Sequence, residues 1–486
     1  MASVPDGRPS VRQPVGLSDR ESVGPSDGEP VGPSVSPAVG RLVGPAVGSA
    51  STPSSAEVAL LQGELTAIGR AAGLDAVGVA DAEPFEDTRH HLEQRKSLGL
   101  HGGMHFTFGD PGRSTDPRRV LPDARALVVG ALSYRRGDAP DDGSDDGSDD
   151  DADDAATGGV STISPGVVAR YSRRDFYAEL RTALEAVAVR LRDAGWRATV
   201  VCDDNALVDR AAAVRAGLGW YGKNALVLLP GRGSWFVLGS VVTDAPLVAD
   251  GPPLAPAGGC GTCVRCLSAC PTGAIVAPGV IDARRCLAWL LEAPGSFPSE
   301  HRAALGNRLY GCDECQSSCP VNRRAERATP PPPPSPDDEG TVDVVAMLAM
   351  TDGELLARFG RWYVPRRQAR FLRRNALVVL GNVGDGGSPA VGAALERALA
   401  DADPLVRGHA VWAAARLGRT DLLAQMRAGE EDPDVLAELD GAGLTGAGLT
   451  GVGLTGVGLS GVGADAAGLA GPGQSRTSRE LAGIER

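Results

Sequence analysis

The chain has 486 residues, 42% of them apolar, with 61 acidic against 48 basic side chains and a net charge of −13. That length has room for about three domains, and with no run of roughly 18 apolar residues it is expected to have no membrane-spanning helix. Ten aspartates fall within residues 138–154, and without them the charge is about −3, so local basic patches rather than global charge decide whether a nucleic acid is a partner.

Residues 1–55 are rich in Pro, Gly, Ser and Val and hold almost no large apolar side chains. Such a stretch cannot bury enough surface to fold and is expected to be disordered. An α/β (α+β) domain is expected over 56–250. Ala56 to Ala72 reads as an amphipathic helix, and Leu74 to Val79 and Ala126 to Val129 as buried strands. An acidic insert over 138–159 interrupts the domain, since like charges at that density repel and stay solvated. Asp175 to Ala194 reads as a long helix with Leu180, Leu184, Val187 and Leu191 on one stripe. Ala198 to Cys202 is a strand, Cys202 being an ordinary buried residue, and Ala206 to Ala216 a helix that stops at Gly217. Ala225 to Leu229 and Trp235 to Val242 suggest a hairpin about the turn Pro230-Gly231-Arg232-Gly233.

Eight of the nine cysteines then fall in one window, expected to form an inserted ferredoxin-like domain over 251–325. They read Cys260-x2-Cys263-x2-Cys266-x3-Cys270-Pro271, Cys286, and Cys312-x2-Cys315-x3-Cys319-Pro320. A chain holding two 4Fe–4S clusters wraps each with close cysteines and sends the one before proline to the other cluster. The second run lacks its first cysteine, and Cys286 is the natural substitute. One cluster is therefore assigned Cys260, Cys263, Cys266 and Cys319, and the other Cys270, Cys286, Cys312 and Cys315. Zinc also takes C-x2-C pairs, and cysteine-rich chains also build disulfides. Neither fits two interlocking Cys-Pro ends inside so long a chain.

A Pro-rich linker is expected over 326–340, since Pro330 to Pro334 form a rigid spacer. A helical region follows over 341–435. Asn375 to Asn382, Val391 to Leu399, and Asp403 through Leu417 suggest paired helices of HEAT type, too few to stand alone as a solenoid. From 436 the chain drifts into a Gly-Leu-Thr-Gly repeat of period five, read as a disordered tail.

Several strings resemble the epoxyqueuosine reductase family: Gly102-Gly-Met104, Asp116-Pro117, Ala169-Arg-Tyr171, Arg215-Ala-Gly-Leu-Gly-Trp-Tyr-Gly-Lys-Asn224, Gly233-Ser-Trp-Phe-Val-Leu-Gly239, Val242-Thr-Asp244, Tyr310-Gly-Cys-Asp-Glu-Cys-Gln316, Arg373-Arg-Asn-Ala376 and Gly381-Asn382. Their order covers about residues 57–430. The resemblance implies cobalamin bound in the N-terminal domain and electrons passed through two 4Fe–4S clusters. It also implies reduction of the epoxide of epoxyqueuosine, at the wobble position of certain tRNAs, to the alkene of queuosine, with the HEAT-like end gripping the tRNA.

In that family the proton donor is an Asp in the frame Asp-x5-Glu-Arg-Ala, matched here by Asp203-x5-Asp209-Arg210-Ala211. The Glu is shortened to Asp209, and the family's Asp-Tyr-His is Asp175-Phe176-Tyr177. Asp203 could equally cap the following helix, unless Asp204 or Asn205 does so. Cobalamin contacts are expected from Asp203, Tyr171, Gly222, Lys223, Asn224, Ser234, Phe236, Leu238 and Leu287, with no protein histidine beneath the cobalt. For tRNA phosphates the candidates are Arg366, Arg367, Arg370, Arg373 and Arg374, with Arg323, Arg324 and Arg327 nearer the clusters. Trp362 and Tyr363 could stack on an unpaired base or sit in the core. The expected protein is a cytoplasmic monomer served by an external low-potential electron donor. Against this stand a corrinoid reductive dehalogenase acting on a small molecule, a pure electron carrier, and an RNA-binding module with structural clusters.

Overall fold

The computed structural model describes residues 53–136, 165–251 and 259–443. The acidic insert expected over 138–159, and nearly all of the low-complexity ends expected over 1–55 and 436–486, lie outside those residues. No helix among the described residues is long and apolar enough to cross a membrane.

Helix α1 spans Ser55–Ala71. Ser54 caps it: its hydroxyl accepts the Glu57 N–H at 3.3 Å, and the Ser54 N–H donates to the Glu57 carboxylate at 2.8 Å. That exchange satisfies amides that the first turn leaves without intrahelical partners. Strand β1 (Ala76–Asp81) pairs antiparallel with β2 (Ala126–Ser133). The next strand, β3 (Pro165–Val168), leaves this sheet. Helix α2 (Phe176–Asp193) leads into β4 (Ala198–Cys202), helix α3 (Asp209–Arg215), the short strands β5 (Trp220–Tyr221) and β6 (Val227–Leu228), and β7 (Phe236–Thr243). The main sheet runs β1-β2-β7-β4 and is antiparallel throughout, so the first half is α+β.

Alternation of side chains along the strands decides which layer each face meets. Val128 and Leu132 face the core of α1 and α2, with Leu65, Leu180, Leu184 and Leu191. Leu127, Val129 and Ala131 face the opposite core, with Ala211, Ala212 and Ala213 of α3. Gly130 and Gly239 are register partners beneath Leu184. A Cβ at Gly239 would stand 2.8 Å from the Leu184 side chain, so α2 lies as close to the sheet as it does because both are glycine.

Two expectations are corrected. The segments 225–229 and 235–242 do not form a hairpin. Both edges of β7 are taken by β2 and β4, so β6 pairs with β5, and only a bridge from Leu229 to Gly233 closes the turn. Helix α3 begins at Asp209, three residues later than expected, and Val208 precedes it without a side-chain cap. Asp204 instead accepts the Ala206 N–H at 2.8 Å, a local turn that holds residues 203–208 out of the helix.

The second half is built around the cysteine window. A hairpin, β8 (Ile275–Ala277) and β9 (Val280–Ile281), precedes helix α4 (Leu287–Glu292) and strand β10 (Arg308–Tyr310). Helix α5 (Pro320–Ala328) and strand β11 (Thr341–Asp343) follow. Strand β3 is the middle of a second sheet, parallel to β10 and antiparallel to β11. Helices α6 (Ala369–Val383), α7 (Pro389–Leu399), α8 (Pro404–Arg416) and α9 (Pro433–Gly441) complete the molecule. Asp403 caps α8 by accepting the Leu405 N–H at 2.9 Å, with Pro404 in the first turn where no amide is needed. One apolar core runs from Val168 through Leu290, Phe297 and Leu309 to Leu377, Val411 and Leu439. Arg302, 1% exposed, closes it with two bonds of 2.8 and 2.6 Å to Glu438 of α9.

Candidate active site

The eight clustered thiols fall into two groups. Cys266 lies within electrostatic reach of Cys260, Cys263 and Cys319. Cys286 senses Cys270, and Cys312 and Cys315 both sense Cys286. The first group is Cys260, Cys263, Cys266 and Cys319, and the second Cys270, Cys286, Cys312 and Cys315. They adjoin, because Cys315 also feels Cys266. Cys286 and Cys319 stand at the N-caps of α4 and α5 without a side-chain cap hydrogen bond, and burial raises the Cys286 thiol against the opposing pull of the Trp289 and Ala288 amides. Helix amides aimed at sulfur favour thiolate, while burial pushes the Cys312 thiol up to about 11. Among the described residues, no three His, Cys, Asp or Glu side chains converge as ligands of one ion would. A cubane takes each thiolate on a different iron and so needs them wider apart. Cys202, the ninth, is fully buried in β4, its thiol pushed up to about 12 by burial.

Asp203 stands at the end of β4 with φ +50°. Its side chain is exposed on one side and crowded by protein on the other. Burial pushes its carboxyl above the usual range. Arg181, which also donates to the Cys202 carbonyl at 3.0 Å, opposes this, and Asp175 and Asp204 reinforce it. Asp209 lies beside it. Burial and the Asp203 charge hold the Asp209 carboxyl well above its usual range, and its Oδ1 is buried without a hydrogen-bond partner among the described residues. Tyr177 faces both acids, and burial followed by their charges holds its hydroxyl neutral. Arg210 joins this group to the β5–β6 loop by donating to the Ala225 carbonyl at 3.4 Å.

Glu292, at the end of α4, is a site residue that the sequence reading missed. The Tyr171 hydroxyl donates to it at 3.2 Å, and the Tyr310 hydroxyl also faces it. Burial, helped by the charge of Asp203, raises its carboxyl to about 7 against the Tyr171 hydrogen bond and the facing Tyr310 hydroxyl. The available signal was a single carboxylate closing the apolar run Leu287-Ala-Trp-Leu-Leu291 just after a cluster cysteine.

The expected cofactor residues are divided. Lys223 donates to the Gly261 carbonyl at 2.7 Å, and Asn224 to the Cys315 carbonyl at 3.3 Å, so the loop after β5 is bonded directly to the cysteine loops. Phe236 and Tyr171 are half-buried. Gly222 is buried, a Cβ there meeting Asn224 at 2.7 Å. Leu238 and Leu287 belong to the cores. Ser234 is buried in a network, its N–H donating to Asn322 at 2.7 Å and its hydroxyl to Gln316 at 2.9 Å.

The arginine run splits likewise. Arg366 and Arg367 are exposed on a turn, both with φ +52°. Arg370 pairs with Asp403 at 3.4 Å, and Arg373 pairs with Asp352. Arg374 is fully buried and donates to the carbonyls of Leu290, Leu291, Ala293 and Gly295, so it is not part of any phosphate-binding surface. Arg323, Arg324 and Arg327 are exposed along α5. Trp362 is core, stacked between Tyr310 and Phe359 at 4.8 and 4.6 Å, whereas Tyr363 is 59% exposed. The Tyr310 hydroxyl donates to the Tyr363 carbonyl at 3.1 Å, which ties the exposed arginine turn to the same tyrosine that faces Glu292.

Residues 259–322 match the family model of a 4Fe-4S double cluster binding domain. The chain is 35% identical over 360 residues to the epoxyqueuosine reductase of Xanthomonas campestris pv. campestris, covering 72% of this chain and 94% of that one. It is 31% identical to the epoxyqueuosine reductase of Bacillus subtilis, covering 78% and 94%. A crystal structure of epoxyqueuosine reductase with an epoxyqueuosine-modified tRNA-Tyr stem loop superposes with a TM-score of 0.68 at 30% identity, covering 79% of this chain and 98% of that one.

Proposed function

The chain belongs to the epoxyqueuosine reductase family, and from that premise we propose that it reduces the epoxide of epoxyqueuosine in tRNA to the alkene of queuosine, with Asp203 as proton donor. That membership sets aside the reductive dehalogenase weighed from the sequence. One observation carries the assignment of roles: acid and thiols meet in a single site. Glu292 feels the charge of Asp203, Cys286 feels that of Glu292, and the Asn224 amide donates to the Cys315 carbonyl.

In this reading Cys260, Cys263, Cys266 and Cys319 hold one 4Fe–4S cluster and Cys270, Cys286, Cys312 and Cys315 the other, relaying single electrons from an external low-potential donor. Residues of β5 and β7 also fit cobalamin. Tyr221 presents an aromatic face 46% exposed, Phe236 is half-buried nearby in sequence, and the buried Trp220 indole N–H has no partner among the described residues. Tyr171, Tyr221, Phe236 and the 222–224 loop would hold the cofactor, with no histidine ligand. Cobalamin, when bound, supplies low-valent cobalt as the immediate source of electrons to carbon.

The chain's own residues manage the proton and the substrate. A departing oxygen leaves as an alkoxide unless protonated, so a positioned acid speeds the step. Asp203 suits that role because crowding by protein keeps its carboxyl protonated to higher pH than usual. Arg366, Arg367 and exposed Tyr363 offer phosphate contacts and a stacking face on the same side, with Arg370 and Arg373 half-buried beside them. On this reading residues 56–250 form the cobalamin domain, 251–325 the ferredoxin-like domain and 341–435 a HEAT-like platform for tRNA.

The test is an anaerobic reaction of reconstituted protein with cobalamin, a strong reductant and tRNA carrying epoxyqueuosine, read by nucleoside mass spectrometry. Loss of one oxygen atom is expected. An unchanged nucleoside, with cobalamin bound and reduced, would overturn the substrate assignment.

A further inference from the structure

We propose that the groove between the Cys263–Cys266 loop and α5 is the docking surface of the electron donor, and that the donor is a small acidic protein carrying a low-potential one-electron centre. This rests on the reading of the thiols as ligands of two 4Fe–4S clusters and deepens it. The groove has a volume of about 420 Å³ and is lined by Val264, Arg265, Ser268, Ala269, Ser318 and Arg323. Val264 and Arg265 lie between Cys263 and Cys266, and Ser318 precedes Cys319, so three of the four thiols of the first group adjoin its lining in the chain. The second group lies towards the acids instead: Cys286 feels the charge of Glu292, and the Asn224 amide donates to the Cys315 carbonyl. Electron tunnelling weakens steeply with distance, so electrons enter best at the first group and leave from the second. Each docking passes one electron from the reduced carrier to the first group and makes or breaks no bond. Two dockings supply the two electrons that convert the epoxide, with two protons, to an alkene and water.

The groove has the make-up of a transient protein interface. Its floor is apolar, with Val264 51% exposed and Ala269 half-buried. Its rim is basic. Arg265 comes from the cysteine loop and Arg323 from α5, and Arg327 continues the rim one turn along that helix, all three exposed. Arg323 donates to the Ser317 carbonyl at 2.9 Å, which fixes its guanidinium at the edge of the groove. Among the described residues no carboxylate pairs with these arginines: Glu326 on the same helix is drawn to Arg170 at 2.7 Å, and Glu314 pairs with Arg308. An apolar centre inside a polar rim is how protein partners meet, and small, weakly held contacts suffice for electron carriers. A tRNA backbone would use the arginines but gain nothing from the apolar floor, and no aromatic ring lines the groove to stack a base. Arg366, Arg367 and Tyr363 offer that combination elsewhere. The net charge of −13 repels an acidic protein from other approaches, so a local basic rim both attracts the carrier and orients it. Arg323, Arg324 and Arg327 thus serve the donor rather than the tRNA phosphates to which the sequence reading offered them.

The experiment uses the reconstituted full chain, with flavodoxin and an acidic 2Fe–2S ferredoxin as probes. Binding is read by fluorescence anisotropy of the labelled, oxidised probes, and electron entry from the reduced probes by the loss of cluster absorbance, both without tRNA. Turnover is then driven either by the probes or by titanium(III) citrate. The variants are Arg265→Glu, Arg327→Glu and the two together, with iron content and tRNA affinity measured for each. We expect wild type to bind at least one probe, more weakly as salt rises, and the double variant to bind it and accept its electrons roughly 10-fold less well or worse. Iron content, tRNA affinity and the titanium-driven rate should match wild type. Arg327 lies eight residues beyond Cys319, so Arg327→Glu alone, expected to weaken binding about 3-fold, keeps the test open should Arg265→Glu lower the iron. Wild-type protein that binds neither probe, or iron-loaded variants that take electrons from them as fast as wild type, overturn the proposal. So does a variant that loses tRNA affinity and keeps its probe affinity, which gives the face to RNA. Wild-type protein that takes electrons from the probes and leaves the epoxide untouched overturns the functional reading and leaves the docking surface standing.

Discussion

Asp203 holds a left-handed backbone, φ +50°, which aspartate adopts more readily than most residues yet still at some cost. The conformation turns the chain off β4 and leaves the carboxyl free of the α3 N-terminus, where a cap would have held it. Asp203→Asn fits the same backbone but cannot donate an acid proton. We expect clusters and cobalamin to stay bound and turnover to fall by roughly 10²-fold or more. The sign of the pH dependence follows from the raised carboxyl: wild-type activity should decline as pH rises through that value, because the anion has no proton to give, and the residual Asn activity should lack that limb. Stopped-flow turnover at several pH values checks both. The cysteine window was legible because its spacing is fixed by cluster chemistry, whereas Asp203 came from the family resemblance alone. Glu292 was legible in neither way, because its chemistry comes from Tyr171 and Tyr310, brought to it from segments 121 residues before it and 18 residues after it in the chain.

At the scale of elements, α6 illustrates how a charge run misleads. Arg370, Arg373 and Arg374 look alike in sequence, but nearly every other residue of this helix is buried, so a residue's angle around it decides its fate. Arg374 points inward and binds the Leu290 and Leu291 carbonyls of the last turn of α4 and those of Ala293 and Gly295 just beyond it, which no amide of that helix reaches. Arg374→Ala leaves those carbonyls unpaired and should cost about 2–4 kcal/mol, seen as a lowered Tm without any specific loss of RNA affinity. Arg366→Ala and Arg367→Ala should do the reverse: Tm unchanged, tRNA binding weaker, and the slope of log affinity against log salt reduced by about 1 for each. Filter binding at several salt concentrations distinguishes them. The missed hairpin has an equally physical cause. A turn sequence announces that the chain reverses, but not that β7 has both edges filled by strands from elsewhere.

At the scale of the molecule, the helical region and the cysteine window share one core, so the thiols rest on packing supplied by α6, α8 and α9. Cys286→Ala should therefore leave the fold intact while bound iron falls towards half, since only one group of four thiols loses a member. Iron and sulfide analysis with electron paramagnetic resonance checks this, and unchanged iron would refute the ligand assignment. Periodicity exposed the helices of the second half, while the linker expected from 326 begins inside α5, which runs on to Ala328. Strand β3 left no such trace, because four residues hold too little pattern to declare partners about 140 positions away.

That strand gives the chain a schedule. β3 is made with the first half, but its neighbours β10 and β11 emerge from the ribosome only after Tyr310 and Asp343 are translated. At synthesis rates of about 5–20 residues per second, Val168 waits roughly 7 to 28 seconds for Tyr310. The second set of four thiols is likewise incomplete until Cys315 is made. The nascent protein thus passes through a stage with an unpaired strand and bare sulfur ligands together. A ribosome stalled before residue 343 would hold it in that open form.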